Sequence, residues 1–292
     1  MDWLLISKEL HMSKRIDVKK TYKLFIGGAF PRTESGRTYE VKNSRGVFIA
    51  NPCLASRKDL KDAVVAARTA QSGWSQATAY NRGQILYRIA EMLEGRRDQF
   101  VAEICELTGV TPKKASDEVE ASVDLLVWYA GWTDKISALD GATNPVAGPY
   151  YNFTIPEALG VVGFIAPKKS ALLGFIAGIA PIIASGNTVI ALASESAPLP
   201  AMSLAEVIAT SDVPAGVVNI LTGKSAELAP WFASHMDIDG LDISGLDSKL
   251  VSEIKKAGAQ NLKRIHSFKE VASPGRILAF MESKTVWHSI GV

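Results

Sequence analysis

Residues 157–195, EALGVVGFIAPKKSALLGFIAGIAPIIASGNTVIALASE, constrain the fold of this chain more than any other stretch. GVVGFIA is short, apolar and β-branched, and reads as a buried strand. SALLGFIAGIAPIIAS is long enough for a helix, Gly186-Asn187 stops it, and TVIALA reads as a second buried strand. Strand, turn, helix, turn and strand make one βαβ unit, the building block of a doubly wound parallel sheet and hence of an α/β fold. Such sheets bind ligands beyond the carboxyl ends of their strands. Pro167, Lys168, Lys169 and Ser170 stand there, at the end of the first strand.

The same stretch carries no charge from Ser170 to Ser194. The helix inside it runs to roughly 15 residues, short of the roughly 20 that span a bilayer, and Pro181, Ser185, Gly186 and Asn187 interrupt the run. A helix and strand buried within an α/β domain explain the lack of charge. The chain is 292 residues long, 47% hydrophobic and 21% charged, the composition of a globular protein with a sizeable core. A net charge of +2 gives no reason to expect nucleic acid or a membrane surface as partner. Two cysteines, Cys53 and Cys105, provide no disulfide framework, and a cytoplasmic location is expected. The early run WLLI is too short for a signal peptide and is followed by no small-residue cleavage site; Met12 is an alternative start.

Before the βαβ unit the chain alternates small β structure with helices. KLFIGGAF predicts a hairpin turning at Gly27-Gly28, and TYEV a short strand after Gly36. Ser56-Arg57-Lys58-Asp59 is a capping-box pattern that opens a helix with Leu60, Val64 and Ala67 on one face. Ile85, Ile89, Leu93, Phe100 and Ile104 predict a single helix over 81–107, closed by Gly109. A further helix is expected over 117–135, with Val119, Val123, Val127 and Ala130 as its apolar stripe. Residues 138–156 then read as a projecting β-hairpin. After the βαβ unit, strands are predicted at 217–221, 241–244 and 262–266, and helices at about 200–211, 225–235 and 247–258.

These segments, taken in order, resemble the aldehyde dehydrogenase superfamily over nearly the whole chain. LFIGGAF, Trp74, RGQILYRIAEMLEGRRDQF, YAGWTDK, GPYYNFTIPEALGVVG, GNTVI, PAGVVNILTG and NLKRI occur in that family's order and spacing. The resemblance implies a nucleotide-binding domain over 1–137 and 157–270. It also implies an oligomerisation element formed by 138–156 and 276–292. RILAFMESKTVWHSIGV resembles the family's last strand, an edge strand expected to join a neighbouring subunit's sheet. The catalytic domain is then expected to be absent, with Val271–Gly275 marking the junction.

The departures from the family pattern bear on function. The family's Pro-Trp-Asn-Phe-Pro turn keeps only Pro167, and Lys169 replaces the Asn that donates to the developing oxyanion. The lysine that helps hold the nucleotide ribose is Leu192 here, whereas the acid that contacts the ribose is retained as Glu195. The Phe-Thr-Gly-Ser turn becomes Ile243-Ser244-Gly245-Leu246, which keeps the glycine beside the pyrophosphate. Phe268 stands where the family has its general base, and no cysteine follows Cys105. By this resemblance the cofactor-contact positions are Pro167, Lys168, Lys169, Glu195, Ser244 and Gly245, with weak NAD binding or none. No catalytic residue is assigned.

Other patterns carry little chemistry. Thr222-Gly223-Lys224-Ser225 lacks the earlier glycine of a phosphate loop, because Val218 stands there. His11, His235, His266 and His288 have no metal-ligand spacing. Asp237, Asp239 and Asp242 lack a calcium-loop pattern and are expected in a polar loop. Lys168-Lys169 beside a helix N-terminus could hold an anion or form a solvated turn. The expected function is that of a catalytically inactive subunit working through homo- or hetero-oligomeric assembly with a complete dehydrogenase. It resembles the incomplete second unit of two-part, class 16-type enzymes. Two alternatives remain: an NAD(P)-dependent oxidoreductase with residual or partner-completed activity, and a nucleotide sensor without chemistry.

Overall fold

The computed structural model describes residues 18–291. The WLLI run, His11 and Met12 lie outside them. The chain turns at Gly27-Gly28 as expected. Both glycines have positive φ (60° and 77°), and Ile26 and Ala29 exchange hydrogen bonds at 3.0 Å. Left-handed backbone at two successive positions is what a two-residue hairpin requires. Phe25 bridges Ile220 at an edge of the main sheet. Strands β1 (Val41–Lys42) and β2 (Phe48–Ala50) then pair antiparallel.

Helix α1 (Arg57–Gln76) opens on the expected capping box. Ser56 Oγ accepts from the Asp59 amide, and the Asp59 carboxylate accepts from the Ser56 amide at 2.7 Å. The single helix expected over 81–107 is two, α2 (Ala79–Glu94) and α3 (Arg97–Thr108). All five residues of the expected stripe are buried, but the chain bends between them at Gly95-Arg96, where Arg96 leaves helical geometry (φ −112°, ψ 15°). Glycine is a poor helix former, and the bend lets both helices pack on α4.

Helix α4 (Pro112–Trp132) starts five residues before the expected boundary. Thr111 caps it by accepting from the Lys114 amide, and Pro112 suits the first turn. Its buried stripe is Ala115, Val119, Ser122, Leu126 and Tyr129, whereas Val127 is exposed. Ser122 enters the core because its hydroxyl bonds back to the Glu118 carbonyl at 2.7 Å, which satisfies the group without solvent. A 3₁₀ turn (Thr133–Lys135) and the short α5 (Ile136–Asp140) lead into the hairpin of β3 (Ala142–Asn144) and β4 (Tyr150–Ala158).

The main sheet is the doubly wound parallel sheet expected. Strand β5 (Val161–Ile165) leads through α6 (Leu173–Ala184) to β6 (Thr188–Leu192), then α7 (Leu199–Ile208) to β7 (Val218–Leu221). Helix α8 (Ser225–Ser234) returns the chain to β8 (Gly240–Asp242), and α9 (Ser248–Ala259) precedes β9 (Arg264–His266). The strand order is β7-β6-β5-β8-β9. Side chains alternate across it. Val162, Phe164, Val189 and Ala191 face the helices α2, α4, α6 and α7, while Val161, Ile165, Ile190, Leu192 and Leu241 face Leu60, Val64 and Ala67 of α1 and Phe232 of α8. Helix α6 runs through Pro181 rather than breaking there, because every residue from Phe175 to Ala184 is buried by its neighbours. Among the described residues no helix is long and apolar enough to cross a membrane.

After β9 the chain passes through α10 (Pro274–Leu278) into β10 (Met281–Ser289). This strand, expected on a neighbouring subunit's sheet, lies antiparallel on β4 of its own chain, from Met281 opposite Ala158 to Ser289 opposite Tyr150. The sheet order is β10-β4-β3, so β10 is also an edge strand. The buried side chain of Asn187 fixes where this segment crosses the main domain. Its Nδ2 donates to the Phe280 carbonyl and to Ser185 Oγ, and its Oδ1 accepts from the Gly160 amide, all at 2.7 Å. Asn187→Ala strands the Gly160 amide inside the protein, whereas the Phe280 carbonyl keeps the Leu159 amide at 3.1 Å. The substitution is expected to lower unfolding free energy by about 1–3 kcal/mol, read from urea denaturation of the two forms.

Candidate functional site

The strand order reverses between β5 and β8, so the crevice of this sheet opens beyond their carboxyl ends. Three turns meet there: 166–170 after β5, 194–196 after β6 and 243–248 after β8. Pro167, Lys168, Lys169, Ser244 and Gly245 line one shallow groove of about 380 Å³ with Leu246, Asp247 and Ser248. Five of the six expected contact positions therefore come together. Glu195 does not line this groove. It sits on the neighbouring turn, whose Ser194 and Ser196 hydroxyls donate to the Lys168 carbonyl at 3.4 Å.

The two helices that follow β5 and β8, α6 and α9, each have a carboxylate of the chain at their N-terminus. For α6 it is Glu118 of α4, whose Oε1 accepts from the amides of Leu172 (3.0 Å) and Leu173 (3.2 Å) and from Ser170 Oγ (3.1 Å). Ser170 is held in left-handed backbone (φ 66°), and its hydroxyl also accepts from the Gly174 amide at 3.0 Å. For α9 it is Asp247, the N-cap, which accepts from the Lys249 amide at 3.1 Å. That hydrogen bond, with Lys168 and Lys249 nearby, holds the Asp247 carboxyl below its ordinary range. Lys168 Nζ lies 3.7 Å from Asp247 Oδ2, so this lysine has an anionic partner within the chain. Unpaired amides and a positive dipole end draw anions to helix N-termini, and here the chain's own carboxylates take that place.

The remaining positions have roles inside the fold. A side chain on Gly245 would put its Cβ 2.0 Å from the Ala166 carbonyl oxygen, so the glycine lets this turn close onto the end of β5. Ser244 Oγ donates to Asp242 Oδ1 and accepts from the Phe268 amide at 2.8 Å. Leu192 is a core residue between the sheet and α1, where a lysine's charge would be stranded. In the strand-to-helix turn at 222–225, Thr222 is buried and its hydroxyl donates to the Cys53 carbonyl at 2.6 Å.

Asp242 stands at the carboxyl end of β8 rather than in a polar loop, and is buried. Burial pushes its carboxyl upward, and the Arg276 guanidinium opposes that. Arg276 Nη2 meets Asp242 Oδ2 at 3.0 Å, and Nη1 donates to the Glu270 carbonyl at 2.8 Å. Its guanidinium lies 4.7 Å from the centre of the Phe268 ring, which also stacks on His266 at 5.8 Å. The position given to a general base thus holds a half-buried aromatic ring that cannot accept a proton. Among the described residues no cluster of His, Cys, Asp and Glu could hold a metal ion.

Glu118, Asp247 and Arg276 were not foreseen. Asp247 has a local signal, an Asp just before a helix. Glu118 and Arg276 have none, since each meets its partners across the fold.

The match to known proteins agrees with this architecture. The aldehyde dehydrogenase family model matches residues 31–282, and the chain belongs to that family. It is 36% identical over 259 residues to retinal dehydrogenase 2 of Homo sapiens, covering 86% of this chain and 48% of that protein. It is 33% identical over 275 residues to an aldehyde dehydrogenase of Emericella nidulans, covering 92% and 54%. Among solved structures, it superposes on an aldehyde dehydrogenase from Bacillus cereus, solved as an NAD+ complex. The TM-score is 0.78 at 29% identity, over 84% of this chain and 50% of that one. The HpcC structure from Thermus thermophilus gives 0.80 at 26%, over 85% and 48%. The chain thus spans about half the length of these relatives.

Arg276→Met leaves Asp242 buried and uncompensated. The expected loss is about 3–5 kcal/mol of unfolding free energy in guanidinium denaturation, and removing both charges (Asp242→Asn with Arg276→Met) recovers part of it.

Proposed function

We propose that this chain acts as a non-catalytic aldehyde dehydrogenase-type subunit, working through assembly with itself or with a complete dehydrogenase. The observation that carries the reading is the path of the chain after β9. It passes from Phe268 through the Arg276–Asp242 pair and α10 straight into β10 on β4. Aldehyde oxidation through a thiol needs a cysteine thiolate, oxyanion donors, a hydride acceptor and a base. Along this path the base position is filled by Phe268, and the two cysteines lie far earlier in the chain.

The groove supports the same reading. The residues present do not fit a dinucleotide pyrophosphate. The N-termini of α6 and α9 hold Glu118 and Asp247, Ser244 Oγ is engaged by Asp242 and Phe268, and the ribose-lysine position is core leucine. A phosphate approaching α9 would meet a like charge where the helix would otherwise attract it.

Support for assembly comes from the three-stranded sheet. Register puts Tyr151, Phe153 and Ile155 of β4 on one face with Lys284, Val286 and His288 of β10; Tyr151 and Ile155 are exposed, and Lys284 pairs with Glu157. The outer edge of β10 has no strand beside it among the described residues. Exposed aromatic and aliphatic side chains beside an open strand edge invite a partner's sheet.

The test measures mass in solution, alone and mixed with a complete aldehyde dehydrogenase from the same source. An oligomer or mixed complex is expected, and Tyr151→Glu with Ile155→Glu is expected to dissociate it. A stable monomer in both samples would sink the reading. Calorimetry with NAD and NADP is expected to show no binding at micromolar concentration; a micromolar Kd would favour a nucleotide sensor, and NADH formation with an aldehyde would favour an enzyme.

A further inference from the structure

Away from that groove, on the side of the sheet covered by α1 and α8, these two helices enclose a cleft of about 130 Å³ lined by Arg57, Leu60, Lys61, Trp231, Ser234 and His235. We propose that this cleft is a binding site for a phosphate-sized oxyanion, either free phosphate or the phosphoryl group of a monoester.

Three cationic or proton-donating groups converge on the cleft with little to balance them. Arg57 and Lys61 are four residues apart on α1 and therefore share one face. The Arg57 guanidinium lies against Trp231, 4.0 Å from its ring centre. Stacking fixes the guanidinium and leaves its edge N–H groups to meet an anion. Among the described residues, neither Arg57 nor Lys61 has a carboxylate at ion-pair distance. Their neighbours do: Lys58 pairs with Glu34 at 3.8 Å and Arg68 with Asp239 at 2.7 Å.

His235 Nδ1 accepts from the Asp237 amide at 3.2 Å, which places the neutral ring's proton on Nε2, a donor. The charges around it are Asp237 on its own turn, Arg57 and Lys61 from α1, and Lys263 just before β9. Burial holds the imidazole below its ordinary range. Lys263, Arg57 and Lys61 act in the same sense, and only Asp237 opposes them. An anion in the cleft would relieve that excess of positive charge.

At the negative end of α8, two backbone carbonyls already have donors. Trp231 accepts from the His235 amide at 3.0 Å, and His235 accepts from Lys263 Nζ at 3.0 Å. The volume sets the ligand class. It is well below the roughly 300–1,000 Å³ that encloses a drug-sized ligand, which excludes a whole nucleotide. Trp231 is 40% exposed and could pack against the organic part of a monoester.

The experiment uses the full chain in chloride buffer and adds inorganic phosphate, or phenyl phosphate, at constant ionic strength. Proton NMR follows the His235 titration, assigned with His235→Gln, and fluorescence follows Trp231, assigned with Trp231→Phe. The expected result is a saturable rise of the His235 midpoint by about half a unit to one unit, since an anion favours the imidazolium. Arg57→Gln with Lys61→Gln is expected to abolish the rise and the change in Trp231 emission. Tighter binding of phenyl phosphate than of phosphate identifies a monoester site, and equal binding a free-phosphate site. Identical midpoints in phosphate and chloride, or a rise that survives in the double variant, would overturn the proposal.

Discussion

Asp242 and Arg276 form a buried ion pair at the point where the main sheet changes direction. Charges taken out of water are costly unless each finds an opposite charge and hydrogen-bond partners. Asp242 has Arg276, the Ser244 hydroxyl and the Ser244 amide. Arg276 has Asp242, the Glu270 carbonyl and the face of Phe268, while its buried Nε has no hydrogen-bond partner among the described residues. Satisfying these two charges therefore places the turn after β8, the segment after β9 and the start of α10. The route from the main sheet to the three-stranded sheet is fixed by polar geometry as much as by burial. Asn187 adds a second anchor, holding Phe280 just before β10 begins.

The groove beyond β5 and β8 keeps the place of a ligand-binding crevice, with carboxylates of the chain at two of its helix N-termini. Open α/β sheets leave helix N-termini exposed at the switch point, which suits phosphates. In this chain Glu118 and Asp247 meet that demand from within. Lys168 and Lys169 would read as an anion site in isolation, yet Lys168 faces Asp247. Local positive charge and net positive potential are different things when a carboxylate is one turn away.

The parallel sheet, its order of elements and the strands β4 and β10 were legible because they rest on runs of apolar residues with a clear period. Five of the six expected groove residues converge for the same reason: the ends of parallel strands must meet at one edge of the sheet. The bend at Gly95-Arg96 was masked by the apolar spacing, which continues through it; Gly95 is its local signal, and packing on α4 holds the two helices apart. The polar residues within the core were also hidden. Ser122 and Asp242 look like surface residues in sequence; Ser122 is buried with its hydroxyl on the Glu118 carbonyl one turn back, and Asp242 with Arg276, 34 positions away. Leu192 marks the opposite case. Its change from the family pattern was visible, but only the side of the sheet it faces shows that it belongs to the core.

Strand β10 also bears on the order in which the protein can assemble. Its hydrogen-bonding partner β4 lies far earlier in the chain; Thr154 and Thr285, whose hydroxyls meet at 3.1 Å, are 131 positions apart. Closing so long a loop carries an entropic cost that local contacts do not share. While the chain is being synthesised, β4 is available with one edge bare long before its intended neighbour exists. During that interval its exposed tyrosines and open edge can pair with another chain as readily as with their own. The same geometry that completes the sheet within one molecule is a route to strand exchange between two.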